Sequence, residues 1–310
     1  MAALSSRAPA PRALFSRVLV LCVTEARPAV LAVSAMRYLT GVALALPAAT
    51  AAASFPRVAQ GAVAWVLSIL AIYLYNGVTD VTEDRINGSG RPIARGDLEA
   101  RTAAAVAAGA GGLALLATWG LPSQLFWIVA ANLGLGYLYS GPPAPLKDSS
   151  GGTVAVLCLS GLLSYLAGFT VATQGGDVAP PAALVLFAAV AIGWMVFVGM
   201  PAKDLSDIAG DAAAGRRTLG VLLGERLSRQ VMVGAAVVLL TGFAVTVSLT
   251  QVRLAGVVLA LAAGVVAVAL AALPAAARPG AGGRRRTRRA YEAFMGTQHL
   301  LHVAAFLSWI

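Results

Sequence analysis

Long apolar stretches, each about the length of a membrane span, recur along almost the whole chain. A helix crosses the ~30 Å hydrocarbon core of a bilayer with roughly 20 apolar residues. The stretches lack the period-two alternation that a membrane β-barrel needs, so we interpret them as helices. The nine predicted spans are 31–53, 58–77, 102–119, 122–140, 152–173, 181–201, 229–249, 254–275 and 291–310.

The composition agrees with a chain that lies mostly in lipid. Hydrophobic residues make up 59% of the 310 residues and charged residues only 12%, whereas a soluble domain carries about 25% charge. We therefore predict an all-α polytopic membrane protein, with residues 1–28 as a cytosolic N-terminal lead-in and residues 29–310 as a single transmembrane domain. A targeting presequence is the alternative interpretation of residues 1–28.

Basic residues are distributed unevenly between the two sides of the predicted membrane domain. All of the 23 lysines and arginines except Arg37, Arg57 and Arg253 fall in segments predicted to face the cytosol. This positive-inside bias predicts a cytosolic N-terminus and a C-terminus on the other side. The predicted topology explains the net charge of +10. We interpret the arginine-rich run at 284–289 as a contact with anionic membrane lipids. No nucleic-acid partner is expected.

Acidic residues gather in two of the cytosolic loops, each a direct continuation of an apolar span. The first loop carries polar residues at every fourth position, namely Asn76, Asp80 and Asp84. The second does the same with Lys203, Asp207 and Asp211, and also carries Asp204. If the helix persists, each set lies on one face, where like charges repel each other. A hard divalent cation removes that repulsion, and Mg²⁺ prefers carboxylate oxygens.

The two acidic loops also share a register. Asp80 and Asp207 are 127 residues apart, and so are Asp84 and Asp211. Each loop follows the second span of a group of four, which predicts two four-helix pseudo-repeats plus a last helix around a central cavity. A third cytosolic loop, which follows the fourth span, contributes Lys147, a usual point-charge partner of phosphate oxygens.

These motifs resemble those of the UbiA-superfamily intramembrane prenyltransferases. The first loop matches the pattern N-x3-D-x3-D, followed by Arg91 with a proline and then by Gly96. The second matches K/R-D-x2-D-x3-D, followed by Gly215 and a Thr-Leu pair at 218–219. The third loop has the family's tyrosine and lysine in Tyr139 and Lys147. The resemblance covers residues from about 25 to 305.

The resemblance implies an enzyme that uses Mg²⁺ to ionise an allylic polyprenyl diphosphate and transfers the prenyl group to a lipophilic acceptor within the membrane. The implied metal ligands are Asn76, Asp80, Asp84, Asp204, Asp207 and Asp211. The acids with an implied catalytic role are Asp80, Asp84, Asp207 and Asp211. The implied diphosphate contacts are Arg91, Lys147, Lys203 and Tyr139.

Two positions depart from the family pattern. Gly77 stands where many members have a second acid, and Lys147 follows Tyr139 by eight residues instead of four. Arg37, a charge within the first span, is interpreted as a further phosphate contact, because intramembrane charges usually mark function. The alternative is a side chain that snorkels to the lipid headgroups.

There are two alternatives to prenyl transfer, of which the first uses the same residues. A membrane terpene cyclase would ionise the same diphosphate but let the cation cyclise without an acceptor. A cation-coupled transporter would also combine repeats with buried acids, but it predicts acids near mid-membrane on broken helices. The acids of this chain lie instead at the predicted cytosolic ends of spans, beside arginine and lysine. His299 and His302, in the last span, are interpreted as packing residues.

The predicted orientation is testable by cysteine labelling. A cysteine introduced at Gly88 or Ala213 should react with an impermeant maleimide only from the cytosolic side, and one at Gly176 only from the opposite side. Labelling of Gly88→Cys from outside, or of Gly176→Cys from the cytosol, would reverse the topology.

Overall fold

A computed structural model describes residues 11–49, 53–273 and 283–308, and in these ranges the regular structure is helical, without β-strands. The helices are α1 (Pro11–Glu25), α2 (Pro28–Ala45), α3 (Phe55–Thr79), α4 (Val81–Ile86), α5 (Pro92–Arg95), α6 (Ala100–Leu116), α7 (Ser123–Ser140), α8 (Ser150–Ala172), α9 (Ala182–Trp194), α10 (Met200–Ala213), α11 (Leu219–Thr250), α12 (Ala255–Ala272) and α13 (Gly283–Leu307). A π-helical segment, Met195–Gly199, joins α9 to α10 without a break.

Six helical segments within the described residues are long and apolar enough to cross a membrane. They are Pro28–Ala48, Phe55–Thr79, Ser150–Ala172, Ala182–Ala213, Leu219–Thr250 and Ala255–Ala272. Helices α6, α7 and α13 lie over the other three predicted spans but do not meet the same length and hydropathy criteria. The all-α membrane fold is confirmed, whereas a count of nine membrane-crossing helices stays a prediction.

Proline and serine residues explain several of the helix starts. Pro28, Pro56 and Pro92 lie in the first turns of α2, α3 and α5, where the missing N–H removes no helical hydrogen bond. Helix α8 begins after Ser149, whose side-chain oxygen accepts a hydrogen bond from the backbone N–H of Gly152 at 3.0 Å. This is an N-cap.

The two acidic loops differ in backbone structure. The second lies within the continuous helix α10, as the four-residue spacing predicts. The first is bent, because α3 ends at Thr79 and Asp80 departs from helical geometry before α4 begins. The backbone hydrogen bonds from Asp80 to Asn76 and from Asp84 to Asp80 are nevertheless kept, at 2.9 and 2.8 Å. These three residues therefore keep the backbone hydrogen bonding of successive helical turns despite the bend.

The buried side chains form two main clusters. One lies among the earlier helices and includes Tyr38, Trp65 and Leu125. The other lies mainly among α9 to α13 and includes Trp194 and Leu261. Helices α2 and α8 contribute to both clusters. The symmetry between the two groups of helices stays a prediction.

The described residues include only part of the N-terminal lead-in and of the segment before α13. Residues 11–25 of the predicted lead-in are helical, and α1 packs against the membrane domain through Cys22 near Leu74 and Ile93. Residues 1–10 and 274–282 lie outside the described residues, as do the side chains at 284–286 of the arginine-rich run. The boundary between lead-in and transmembrane domain stays a prediction.

Helices α2 and α8 approach each other closely through two glycines. A Cβ added at Gly41 would collide with the carbonyl oxygen of Tyr165, and one added at Gly168 with that of Tyr38. Both obstacles are backbone atoms, which cannot rotate away. Small residues that let two helix backbones approach are typical of membrane interfaces.

This contact predicts a difference in stability between alanine variants. Gly168→Ala should lower the free energy of unfolding by about 1–3 kcal/mol, as overpacking typically does. Gly234→Ala is the matched control, because it lies on an exposed face of α11 with no neighbour within 4 Å. Thermal unfolding in detergent measures both, and equal midpoints for the two variants would contradict the close contact.

Candidate active site

A central cavity, lined by parts of α2, α3, α8, α10 and α13, collects nearly all of the residues predicted for function. The first acidic loop contributes Asn76, Asp80 and Asp84, the third loop contributes Lys147, and Tyr139 from the end of α7 also lines it. The second acidic loop contributes Lys203, Asp204, Asp207 and Asp211. The two acidic motifs therefore line one cavity, as the shared register predicts.

Asp80 is the most heavily engaged acid of the first motif. Its Oδ1 atom accepts hydrogen bonds from Lys147 Nζ at 2.7 Å and from Arg216 Nη2 at 2.8 Å, and its Oδ2 accepts one from Asn76 Nδ2 at 2.9 Å. Burial alone would raise the pKa of Asp80, but the two cations more than offset it and hold the pKa at about 2. Asp80 is therefore ionised at neutral pH.

Arg216 joins the two acidic motifs and was not among the residues predicted from the sequence. Its guanidinium contacts Asp80 at 2.8 Å and Glu83 at 3.0 Å on the first motif. It contacts Asp211 at 3.2 Å on the second motif and Asp148, in the third loop, at 3.6 Å. The available signal was the position of Arg216 directly after Gly215 in the second motif. The positive-inside distribution already accounts for this arginine as one of the predicted cytosolic basic residues.

The second motif is held partly by its own residues. Lys203 Nζ pairs with Asp207 Oδ2 at 3.0 Å, one helical turn along α10. Asp204 and Asp211 are almost fully buried. The Oδ2 atom of Asp211 has no hydrogen-bond partner among the described residues. The backbone N–H of Gly210 donates to Asn87 Oδ1 at 2.9 Å, which fastens α10 to the end of α4.

Arg91 is the one predicted diphosphate contact that is not among the residues lining the cavity. Its guanidinium is buried and pairs with Glu25 Oε1 at 2.7 Å and with Asp84 Oδ2 at 2.9 Å. Glu25, at the end of α1, is fully buried and also accepts a hydrogen bond from the backbone N–H of Ile93 at 2.9 Å. Arg91 is therefore connected to the cavity through its ion pair with Asp84 and does not line the cavity itself.

Glu25 also explains the departure from the family pattern at Gly77. A Cβ on Gly77 would collide with the carboxylate of Glu25 and lie 2.7 Å from Arg91 Nη2. A carboxylate therefore stands close to position 77, but the lead-in supplies it from α1. No sequence pattern predicts this contact, because Glu25 is 52 residues away from Gly77 and falls outside every motif.

The donor atoms around the cavity suit Mg²⁺. They are carboxylate and amide oxygens, the ligands that this ion prefers, and the unpaired Oδ2 of buried Asp211 is available for a cation. Among the described residues no three Asp, Glu, His or Cys side chains are already grouped as a chelate. Arg216, Lys147 and Lys203 neutralise these acids instead.

The interior of the cavity beyond the acids is largely apolar. Its lining there includes Val33, Ile69, Ile72, Leu157 and Phe294. Hydrocarbon fits such a lining. Of the two histidines interpreted as packing residues, His302 is buried, with Nε2 3.0 Å from the Tyr165 hydroxyl oxygen.

Solved structures share this arrangement of helices. A UbiA homolog from Archaeoglobus fulgidus, solved bound to GPP and Mg²⁺, superposes with a TM-score of 0.66 over 93% of this chain and 99% of that chain, at 18% sequence identity. At this identity the likeness establishes the fold.

Curated proteins show the similarity in sequence. The digeranylgeranylglyceryl phosphate synthase of Natronomonas pharaonis is 35% identical over 180 residues, which cover 57% of this chain and 62% of the relative. The homogentisate phytyltransferase of Synechocystis sp. is 30% identical over 187 residues, 58% of each chain. The chain thus spans about three fifths of the length of these two relatives.

A family model matches most of the chain. The model of the UbiA prenyltransferase family matches residues 35–297, a range that contains both acidic motifs, the third loop and Arg216. The chain belongs to the UbiA prenyltransferase family.

Proposed function

We propose that this integral membrane protein transfers a prenyl group from an allylic polyprenyl diphosphate to a lipophilic acceptor, with Mg²⁺ as cofactor. The observation that carries the proposal is the placement of two acidic motifs and three basic side chains on one cavity whose interior is apolar. Relatives named as synthases and transferases of prenyl chains, and a fold neighbour bound to GPP and Mg²⁺, support it.

In this proposal the acidic motifs hold Mg²⁺ and the basic side chains hold the phosphate oxygens of the donor. Mg²⁺ would be held by Asn76, Asp80 and Asp84 on one side and by Asp204, Asp207 and Asp211 on the other. When bound, it supplies positive charge that stabilises the departing pyrophosphate. Lys147, Lys203 and Arg216 neutralise the remaining phosphate oxygens as the C–O bond breaks and charge develops on the leaving group.

The apolar interior serves the other product of ionisation. The allylic cation would be quenched by water, and a water-excluding cavity prevents this side reaction. The acceptor then forms a bond to the allylic carbon and releases a proton. If a terpene cyclase operated here, the same ionisation would occur without an acceptor, so product analysis separates the two. Membership of a prenyltransferase family removes the support for a cation-coupled transporter.

Arg216 has a second role in this proposal. Its guanidinium supplies a positive charge between Asp80 and Asp211, so that the two motifs do not repel each other. Five N–H donors in a planar fork match phosphate oxygens as well as carboxylates. Arg216 can therefore exchange carboxylate for phosphate oxygens when Mg²⁺ and the donor enter.

Arg91 takes a different role from the one that the motif resemblance implies. Because it lies behind Asp84, we assign it to positioning that carboxylate, with Glu25 holding the guanidinium in turn. The N-terminal lead-in thereby becomes part of the support of the metal site. The cytosolic location of that lead-in follows from the positive-inside distribution of the chain.

Neutral variants of the two central acids test the site. Asp80→Asn and Asp207→Asn keep shape but remove charge, and each should lower pyrophosphate release from geranylgeranyl diphosphate about 100-fold, equivalent to ~3 kcal/mol of transition-state stabilisation. Asp177→Asn, in an exposed loop, is the matched control and should release pyrophosphate at the wild-type rate. Wild-type turnover by both site variants, folded in detergent, would refute the assignment.

Glu25→Gln tests the support behind Asp84. It removes the charge that holds Arg91, so Asp84 should be less well placed to bind metal. We expect a several-fold increase in the Mg²⁺ concentration needed for half-maximal turnover, beyond any loss of stability. Glu99→Gln, at an exposed position, should leave the Mg²⁺ dependence unchanged. If Glu25→Gln changes only the melting temperature and not the Mg²⁺ dependence, Glu25 is merely structural.

A further inference from the structure

One continuous helical stretch carries the second acidic motif and also part of the apolar wall of the cavity. It consists of α9, the π-helical segment Met195–Gly199 and α10. The cavity-lining residues along this stretch include a row at four-residue intervals, namely Met195, Gly199, Lys203, Asp207 and Asp211. This row has to keep to one side of the helix over roughly four turns.

An ordinary α-helix does not keep a four-residue row on one face. Each residue advances by about 100° around the axis, so that four residues overshoot a full turn by about 40°. Between Met195 and Asp211 this drift reaches about 160°, which would place the two side chains on nearly opposite faces. Both nevertheless line the cavity, so the drift is corrected somewhere between them.

The π-helical segment corrects most of this drift. Its hydrogen bonds reach back five residues instead of four, as the bond from the Met200 N–H to the Met195 carbonyl oxygen shows. The segment therefore takes up one residue more than an α-helical turn. One residue corresponds to about 100°, which reduces the drift between Met195 and Asp211 to about 60°.

Pro201, in the first turn of α10, explains why the extra residue is accommodated at this point. A proline inside a helix has no N–H to donate, and its ring collides with the carbonyl group four residues earlier, here that of Phe197. A wider preceding turn relieves this collision, and helix distortions typically occur at prolines and π-bulges. Gly199, within the segment, leaves room for the ring of Phe294, with which a Cβ at this position would collide.

Contacts on both sides of the segment fasten the helical stretch to the rest of the fold. On the α9 side, the buried Trp194 donates from Nε1 to the carbonyl oxygen of Phe294 on α13 at 3.4 Å. On the α10 side, the N–H of Gly210 donates to Asn87 Oδ1 at 2.9 Å. Because both sides are held, the number of residues between them determines which side chains of α10 face the cavity.

We propose that the extra residue of the π-helical segment positions the second acidic motif, because it sets the register at which Asp207 and Asp211 enter the cavity. This role rests on the proposed function and adds a positioning element to its site. It depends on the number of residues in the segment and not on the side chain of Phe197, which is 55% exposed on the outer face of the helix. π-Bulges inside α-helices occur frequently at functional sites.

Removal of one residue from the segment would turn α10 by about 100° in relation to α9. Each residue of α10 would then take the place now held by the residue before it. Ile208 would occupy the place of Asp207. Ala212 would occupy that of Asp211, so that the cavity would lose both carboxylates. Phe197 is the residue to delete, because its exposed side chain contributes little to the core.

Deletion and insertion variants of the full chain test this role through binding as well as turnover. Geranyl thiodiphosphate, a donor analogue whose C–S bond resists ionisation, is added with Mg²⁺, and the thermal midpoint is recorded in detergent. Wild type and Phe197→Ala, which keeps the number of residues, should both show a rise of about 2 °C or more. The variant that lacks Phe197 should show no such rise, and it should release pyrophosphate from geranylgeranyl diphosphate at least about 100-fold more slowly.

Two rescue variants provide the decisive comparison. Both combine the deletion of Phe197 with one inserted alanine, placed either between Ala202 and Lys203 or after Ala213, at the exposed end of α10. The two chains have the same length and composition, but only the first insertion restores the register of the acids. It should restore the rise in midpoint and bring turnover to within about tenfold of the wild type. The second insertion should restore neither.

Three results would overturn the proposal. They are wild-type binding by the deletion variant, equal binding by the two insertion variants, and failure of both insertion variants to fold when Phe197→Ala does fold, because a restored register should restore the packed helix. The comparison of the two insertion variants stands even if the deletion variant alone does not fold. If the donor analogue with Mg²⁺ fails to shift the wild type itself, the proposed function falls, and the positioning role with it.

Discussion

The bridge that Arg216 makes between Asp80 and Asp211 is the interaction on which the arrangement of the site depends. Carboxylates brought together in a partly buried cavity repel each other and lose hydration, and both effects oppose ionisation. A guanidinium between them keeps Asp80 charged and the motifs close together. The same acids are then available to a metal ion and a diphosphate, which bring their own compensating charges.

The fold separates two kinds of chemistry along one cavity. Charged groups occupy the end that carries the two acidic motifs, and apolar side chains line much of the interior. This order suits a substrate with a charged head and a hydrocarbon tail. The support for the charged end is layered: Glu25 holds Arg91, Arg91 holds Asp84, and Lys147 and Arg216 hold Asp80.

The sequence predicted the parts of this account that rest on local spacing. The length of the apolar stretches predicted the helices. The four-residue spacing of the polar residues predicted the acidic faces of both motifs, including Asp80 and Asp207. Arg216 and Glu25 could not be found in this way, because Asp80, which Arg216 contacts, and Arg91, which Glu25 contacts, lie far along the chain. The charge of Arg216 also fits a topological signal, and Glu25 lies in the lead-in, outside every motif. Arg91 was linked to the right region, but its burial behind Asp84 depends on α1, whose packing no local pattern reveals.

The most direct test of the central claim is the stoichiometry of a single reaction. The purified chain is incubated with geranylgeranyl diphosphate, Mg²⁺ and a candidate acceptor, and pyrophosphate and prenylated product are quantified by mass spectrometry, with chelator as control. We predict equimolar pyrophosphate and prenylated acceptor with Mg²⁺, and neither product in chelator. Consumption of the diphosphate at the same rate in chelator, or no consumption of geranyl, farnesyl or geranylgeranyl diphosphate with Mg²⁺ and any acceptor, would contradict it.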